Sequence, residues 1–192
     1  MNRNYWPIVW IIIIAVVVIF AAKFYFGKQQ PTEQGQQQGV RTTMQITSPA
    51  FAANQPIPMK YSCEGQSINP QLNISGVASG AKSLALILHD PDAPLAGGFT
   101  HWVLFNIDPK TSVIAENSVP QGAVVGANGA GQSMYVGPCP PSGVHHYHFM
   151  LYALDQTLGL DQKATQADLE KAMAGHILDQ TELIGTYQKS GK

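Results

Sequence analysis

Residues 83–94 read SLALILHDPDAP, an apolar run that ends in a loop of two aspartates and two prolines. Every residue from 84 to 88 is apolar, so both faces of this segment need to be covered, which predicts a central strand of a sheet. The prolines restrict the loop backbone, so Asp90 and Asp92 are held in place at the end of the strand. Aspartates in such loops most often cap backbone amides of an ordinary turn, and the loop alone does not distinguish that role from ligand binding.

On either side of this segment, further apolar runs of strand length alternate with turn-forming residues. Together with the central run they occupy residues 44–46, 83–89, 101–107, 144–154 and 182–188. One helix is predicted after Thr165, because Thr165 and Asp168 form a capping-box pattern. Apolar residues at helical spacing extend it: Leu169, Ala172, Met173 and Ile177. The sequence therefore predicts a mainly β fold, a Greek-key β-sandwich-like sheet with one or two peripheral helices.

The N-terminal segment differs from the rest of the chain in composition. Residues 6–22 contain no charged residue, and with the aromatic residues after Lys23 they reach the ~20 residues that a membrane-spanning helix needs. We expect one uncleaved transmembrane helix in residues 1–28; the alternative is a cleaved signal peptide, although no clean cleavage site follows the apolar run. The Gln- and Gly-rich residues 29–43 predict a disordered tether, and the folded domain is expected over residues 44–192.

Localisation follows from the predicted anchor. Basic residues flank it on both sides, so the positive-inside rule gives no orientation. A folded domain behind a single N-terminal anchor most commonly lies outside the cytoplasm. We therefore expect a single-pass membrane protein whose domain is extracytoplasmic, in a periplasm or at the cell surface.

Composition excludes several classes of function. The 11 basic residues are balanced by 12 acidic ones and form no basic stripe, so nucleic acid is not an expected partner. The two cysteines, Cys63 and Cys139, are too few for a disulfide-dense mini-fold or a four-thiolate zinc site. We expect neither a metal nor a cofactor.

Two further stretches contain histidines at the start of predicted strands. Residues 99–103 read FTHWV and place His101 at the mouth of a strand, where a lone histidine is more often structural than functional. Residues 137–149 read GPCPPSGVHHYHF, and alternation divides the strand residues between two faces: His145 and Tyr147 on one, His146 and His148 on the other. A histidine and a tyrosine side by side below a proline-stiffened loop offer hydrogen-bond donors to an anion.

Three segments, in this order and at this spacing, resemble the signature of the phosphatidylethanolamine-binding protein family: HDPDAP at residues 89–94, HW at 101–102 and GPCPPSGVHHYHF at 137–149. The likeness is strongest to the bacterial branch, often described as Raf kinase inhibitor-like. It extends from about residue 48 to residue 187. The resemblance implies a β-sheet sandwich with a small anion pocket at one end.

The resemblance also implies the residues of the pocket. In chain order they are Asp90, Asp92, His101, Cys139 with its loop amides, Pro140, Pro141, His145 and Tyr147. Asp90 is expected to orient a histidine. The two histidines and the tyrosine are expected to donate hydrogen bonds to an anion, with both imidazoles charged at mildly acidic pH. The ammonium group of a zwitterionic ligand would then lie near Asp92.

The same resemblance concerns the two cysteines. In the family pattern the YSCEG loop (residues 61–65) and the GPCPP loop (residues 137–141) both approach the rim of the pocket. Cys63 and Cys139 are therefore expected near each other. They form either a disulfide, if the domain faces an oxidising compartment, or two buried free thiols.

We therefore expect non-catalytic binding of a small anionic or phosphorylated ligand, a lipid head group or a phosphorylated metabolite, by a domain tethered to a membrane. A hydrolase is less favoured, because the sequence contains no G-x-S-x-G elbow and no feature that would activate Cys139. A protein-interaction module, either a protease inhibitor or a regulator of a signalling protein, stays open, and an exposed apolar patch beside the pocket would favour it. His146 stands where many eukaryotic members carry arginine, which argues against their kinase binding here.

Overall fold

The computed structural model describes residues 43–191. The predicted transmembrane anchor in residues 1–28 lies outside these residues, as does the predicted tether except for its last residue. Within the described part of the chain, no helix is long and apolar enough to cross a membrane.

Nine strands and one α-helix build the described domain. The strands are β1 (Gln45–Thr47), β2 (Gln55–Pro56), β3 (Leu72–Ser75), β4 (Ser83–Asp90), β5 (Phe99–Ile107), β6 (Val113–Ile114), β7 (Val124–Val125), β8 (His145–Leu154) and β9 (Ile177–Tyr187). The helix, α1, spans Gln166–Met173, and a short 3-10 turn spans Met59–Tyr61. The prediction of a mainly β fold with a peripheral helix is confirmed.

The strands form two sheets. β1, β3 and β6 make a three-stranded antiparallel sheet, and the other strands form a second sheet in the order β2-β9-β8-β4-β5-β7. Pairing in the larger sheet is antiparallel except between β2 and β9. The two sheets share one hydrophobic core, to which the small sheet contributes Ile46 and Ile74 and the large sheet Leu86 and Phe149. The arrangement is therefore a sandwich of a small and a large sheet.

The apolar segment at residues 84–88 forms the centre of the larger sheet, as predicted. β4 pairs with β5 on one side and β8 on the other, and every side chain of this segment is 0% exposed. Its side chains divide between two layers: Leu84, Leu86 and Leu88 face the core shared by the sheets, and Ala85 and Ile87 pack beneath α1. Burying each of these large aliphatic side chains contributes about 1.5–3 kcal/mol to the stability of the fold, so β4 holds the start of the following loop in a fixed position.

The helix begins as the capping box predicts and ends earlier than expected. The Thr165 hydroxyl accepts a hydrogen bond from the Asp168 amide, and the Asp168 carboxylate accepts one from the Thr165 amide. Ile177, which helical spacing assigns to this helix, is instead the first residue of β9. The reason is Gly175, whose φ of 81° is the left-handed conformation that ends helices. The interpretation of Ile177 as helical is therefore wrong.

Candidate functional site

A cavity of about 340 Å³ opens at one end of the larger sheet, where β4 ends and β8 begins. Most of the residues that the resemblance assigns to the pocket line it: Asp90, His101, Cys139, Pro140, Pro141 and His145. Apolar residues complete the wall: Ala93, Pro94, Leu95, Phe99 and Val136. The cavity therefore combines a few ionisable side chains with a mostly apolar wall, which is typical of small-molecule sites.

Strand pairing brings Asp90 and His145 together. β4 and β8 are antiparallel, with His89 opposite His148, so the end of β4 and the start of β8 lie at the same edge of the sheet. Both side chains lie on the side of the core shared by the two sheets. Asp90 is 2% exposed and His145 is 6% exposed.

A bulge in β5 turns His101 towards the same side. Leu88 on β4 pairs with Trp102, but the next residue, His89, pairs with Thr100, so His101 is one extra residue on β5. In regular alternation His101 would lie on the opposite face from Trp102, whose ring belongs to the shared core. The extra residue reverses the alternation. His101 therefore joins the cavity, while Thr100 points to α1 and donates a hydrogen bond there.

The carboxylate of Asp90 holds His145 in a fixed orientation. Its Oδ2 accepts a 2.8 Å hydrogen bond from Nδ1 of His145, and its Oδ1 accepts a 2.9 Å hydrogen bond from the backbone amide of Asp92. Asp90 thus has both of the roles that the sequence leaves open, because it caps the turn and orients a histidine. Since Nδ1 of His145 is occupied, Nε2 is the ring nitrogen left for a ligand.

His101 is held by a different acceptor. Its Nδ1 donates to the Val136 carbonyl at 2.8 Å, and its ring packs edge-on against Phe99 and Tyr147, with ring centres 4.8 Å and 5.2 Å away. Burial lowers the pKa of His101 below the usual histidine value, although the Val136 carbonyl and the Asp90 carboxylate oppose this effect. The lowered pKa of His101 opposes the expectation that both imidazoles become charged at mildly acidic pH, and that expectation stays a prediction.

Tyr147 packs against His101 but does not line the cavity. Its side chain is 0% exposed, and its buried hydroxyl has no hydrogen-bond partner within residues 43–191. Burial and the negative charge of nearby Asp90 raise the pKa of this hydroxyl, so it remains protonated. The ring of Tyr147 supports the His101 ring, and its direct donation to a ligand, expected from the sequence, stays a prediction.

Asp92 lies outside the cavity. Its Oδ2 accepts hydrogen bonds from the backbone amide and from Nδ1 of His146, at 2.8 Å and 2.7 Å, on the outer face of the sheet. These bonds lower the pKa of Asp92. The alternation predicted for β8 is observed, with His145 buried and His146 exposed, and the loop carries Asp92 to the exposed side. Asp92 is therefore not among the residues that line the cavity, and the expectation that a ligand ammonium group lies near it stays a prediction.

A disulfide ties the cavity wall to a neighbouring loop. Cys63 and Cys139, separated by 76 residues in sequence, are bonded, with 5.4 Å between their Cα atoms. The two loops also touch at Gly137, where an added Cβ would lie 2.5 Å from the Tyr61 carbonyl oxygen, so only glycine fits there. Of the two alternatives that the sequence leaves for the cysteines, the structure contains the bridge.

Other cavities of the domain have different linings. One of about 300 Å³ beside Trp102 is lined by no histidine or carboxylate. A wider one of about 580 Å³ faces α1 and includes His89 and Glu170. There the side chain of Gln166 accepts from the Thr100 hydroxyl at 2.6 Å and donates to Glu170 at 2.7 Å, so these three side chains satisfy one another. The buried Nδ1 of His89 has no hydrogen-bond partner within residues 43–191. Within residues 43–191, no cluster of three or more His, Cys, Asp and Glu side chains is placed to hold a metal ion.

Two contributions to the site are missed by sequence reasoning. The Val136 carbonyl fixes the ring of His101, and Leu95 forms an exposed part of the cavity wall. Leu95 is 59% exposed and Val144 is 53% exposed. A backbone carbonyl has no residue signature, and a single leucine in a loop is not distinctive, so neither contribution has a signal in the sequence.

Comparison with known proteins gives a family match across the domain. Residues 47–188 match the family model described as phosphatidylethanolamine-binding protein. A UPF0098 protein of Methanothermobacter thermautotrophicus is 47% identical over 151 residues, which cover 76% of this chain and 99% of that protein. A UPF0098 protein of Chlamydia muridarum is 47% identical over 150 residues, which cover 76% of this chain and 99% of that protein.

Solved structures show the same likeness. A putative phosphatidylethanolamine-binding protein homologue from Chlamydia trachomatis matches with a TM-score of 0.75 at 45% identity, covering 78% of this chain and 99% of that one. An E. coli protein described as a new member of the mammalian PEBP family matches with a TM-score of 0.73 at 29% identity, covering 77% of this chain and 99% of that one.

Proposed function

Because the chain belongs to the phosphatidylethanolamine-binding protein family, we propose that its folded domain binds a small anionic or phosphorylated ligand, either a lipid head group or a phosphorylated metabolite, without catalysing a reaction. The observation that carries the proposal is the buried Asp90–His145 pair, which opens onto a cavity large enough for a small molecule. A bound anion meets Nε2 of His145, whose Nδ1 is hydrogen-bonded to the Asp90 carboxylate. None of the residues that line the cavity is Lys or Arg, so we expect modest affinity.

The lining of the cavity supports binding over covalent catalysis. Cys139 is in a disulfide, so its sulfur is not available as a thiolate nucleophile. The residues that line the cavity include no Ser, Thr or Lys. The Asp90 carboxylate orients His145 towards a ligand, but no nucleophilic side chain lines the cavity for the pair to activate.

The proposal includes a membrane tether. The anchor expected in residues 1–28 would hold the cavity near a membrane as part of a single-pass protein, with the domain outside the cytoplasm. The Cys63–Cys139 disulfide supports this location, because structural disulfides persist in oxidising compartments and are rare in the cytosol.

Deleting residues 1–38 is expected to release the protein from membranes and to leave a folded domain, because the strands begin at Gln45. Cell fractionation and circular dichroism of the purified product check the two parts of this prediction. A truncated protein that stays in the membrane fraction would place the anchor elsewhere. An unfolded product would mean that residues 1–38 belong to the folded unit.

The binding function is tested by calorimetric titration of the full-length protein, purified in detergent, with phosphorylethanolamine. The parent protein should bind. His145→Ala should bind at least about tenfold more weakly, because it removes a charge-assisted hydrogen bond that contributes roughly 1.5–3 kcal/mol.

His148→Ala is the matched control. His148 lies on the same strand but on the outer face, where its Nδ1 bonds Glu182 at 2.7 Å, so its loss should leave the affinity unchanged. Absence of binding by the parent protein, or equal affinities of the parent and His145→Ala, would refute the assignment of the ligand site. Hydrolysis of a phosphate ester that disappears in His145→Ala would instead favour an enzyme.

The second candidate function is a protein-interaction module, a protease inhibitor or a regulator of a signalling protein. Two exposed apolar side chains favour it, Leu95 on the cavity wall and Val144 next to His145 in sequence, since exposed apolar side chains near a cavity mark many interaction sites. A polar substitution at one of them separates the two functions. Val144→Ser, at an exposed residue that does not line the cavity, should reduce capture of a protein partner while leaving the titration with phosphorylethanolamine nearly unchanged.

A further inference from the structure

Two side-chain hydrogen bonds, one on each face of the sheet, hold the bulge in β5. On the cavity side, Nδ1 of His101 donates to the Val136 carbonyl at 2.8 Å. On the α1 side, the Thr100 hydroxyl donates to the side-chain carbonyl of Gln166 at 2.6 Å. Thr100 and His101 are neighbours in the chain, so the two bonds hold consecutive side chains on opposite faces.

The bulge competes with a regular strand. Without the extra residue, the alternation of β5 would continue from Trp102, so that His101 would lie on the α1 side and Thr100 on the cavity side. That arrangement would take the imidazole out of the cavity and place the Thr100 hydroxyl against its mostly apolar wall. The bond between Thr100 and Gln166 exists only in the bulged arrangement, so it favours the one in which His101 lines the cavity.

Gln166 is a well-fixed acceptor because of its place in α1. It is the first residue of the helix, directly after Thr165, whose capping box with Asp168 fixes the start of the helix. The side-chain amide of Gln166 also donates to the carboxylate of Glu170, one helical turn later, at 2.7 Å. This second bond orients the amide so that its carbonyl oxygen faces the Thr100 hydroxyl.

From these contacts, and resting on the proposed anion-binding function, we infer that Gln166 is a positioning residue of the ligand site, which acts on His101 through Thr100 without touching the ligand. Gln166 and Thr100 line the cavity that faces α1, and neither lines the cavity that contains His101. The helix therefore supports ligand binding from the opposite face of the sheet, by raising the fraction of molecules in which His101 lies in the cavity. A ligand that contacts His101 binds in proportion to that fraction.

The test begins with Thr100→Val, which keeps the shape of the side chain and removes the hydroxyl. The variant loses the bond to Gln166, and its apolar side chain is better accommodated by the apolar wall of the cavity, so both effects favour the regular strand. Calorimetric titration of the full-length protein in detergent with phosphorylethanolamine should show at least about threefold weaker binding than by the parent.

The position of His101 is measured without any ligand. In the NMR spectrum of protein with labelled histidine side chains, the signal of His101 is the one that disappears in His101→Gln. We expect this signal to shift or broaden in Thr100→Val, because the ring leaves its edge-on contacts with Phe99 and Tyr147 in part of the molecules. Thr100→Ser retains a hydroxyl and should restore both the signal and the affinity of the parent.

Gln166→Met removes the acceptor from the helix side and should reproduce the loss of affinity. The double variant Thr100→Val/Gln166→Met should lose no more affinity than the weaker-binding single variant, because both substitutions remove the same bond. Ser133→Ala is the matched control. It removes a 2.7 Å hydrogen bond from the Ser133 hydroxyl to the carbonyl of Gln162, four residues before Gln166, and should behave like the parent in both measurements.

The outcomes separate this inference from the function on which it rests. If Thr100→Val and Gln166→Met keep the His101 signal and the affinity of the parent, or if Thr100→Ser fails to restore them, the positioning role is overturned. A shifted His101 signal in the variants, together with no binding of phosphorylethanolamine by the parent, would uphold the positioning of the ring and overturn the proposed function. If Thr100→Val does not fold, Gln166→Met, at a half-buried position of the helix, still decides the question.

Discussion

Replacing both Cys63 and Cys139 with serine is expected to lower the free energy of unfolding of the domain by about 4.5 kcal/mol, because the disulfide closes a long loop, with a sequence separation of 76. The loss arises mainly in the unfolded chain, which regains conformations that the bond excludes. Urea unfolding followed by circular dichroism, for the parent and the double variant under the same conditions, measures the difference.

A reductant supplies the control for the disulfide. Reduction should lower the unfolding midpoint of the parent to that of the double-serine variant, which has no bond to lose and should not respond. Alkylation without reductant, followed by mass analysis, checks the bond itself. Two alkylated thiols in freshly isolated protein would mean that the bridge is absent, and an unchanged midpoint in fully reduced parent would mean that it does not stabilise the fold.

The sequence predicts those strands whose buried positions appear as a clear pattern of apolar residues along the chain. The apolar run at residues 84–88 has no polar position on either face, and it is the central strand. In β8, polar and apolar positions alternate, and the buried side chains are those that alternation assigns. The strand β3 (Leu72–Ser75) is not predicted, since its four residues, LNIS, are too few and too polar to stand out.

The geometry of the site depends on features that local patterns do not encode. The bulge at His101 arises from the pairing of β5 with β4, so alternation within β5 alone assigns His101 to the wrong face. The resemblance to a family identifies His101 as a pocket residue where alternation does not. For Asp92 the opposite holds: the family pattern assigns it to the pocket, and its bonds to His146 hold it on the outer face.

The second large effect is expected from Asp90→Ala, which should lower the free energy of unfolding by about 3 kcal/mol. The substitution leaves Nδ1–H of His145 and the amide of Asp92 without their acceptor, at a position that is 2% exposed. A buried polar group that loses its partner pays the cost of desolvation without compensation. The same change frees the His145 ring, so the affinity for phosphorylethanolamine should fall as well. Urea unfolding and calorimetric titration measure the two losses.

Asp92→Ala is the matched control, because it removes the other Asp–His pair of the same loop. The bond from His146 Nδ1 to Asp92 is as short, at 2.7 Å, but the Asp92 side chain is 41% exposed, so water replaces the lost partner. We expect a loss of about 0.5 kcal/mol or less in the free energy of unfolding and no change in affinity for the ligand. If the two variants lose the same free energy of unfolding, burial does not distinguish the two Asp–His pairs. If Asp92→Ala loses affinity for the ligand while Asp90→Ala keeps it, the ligand lies on the outer face of the sheet. The contrast between two aspartates two residues apart thus tests both the energetics of the site and its position.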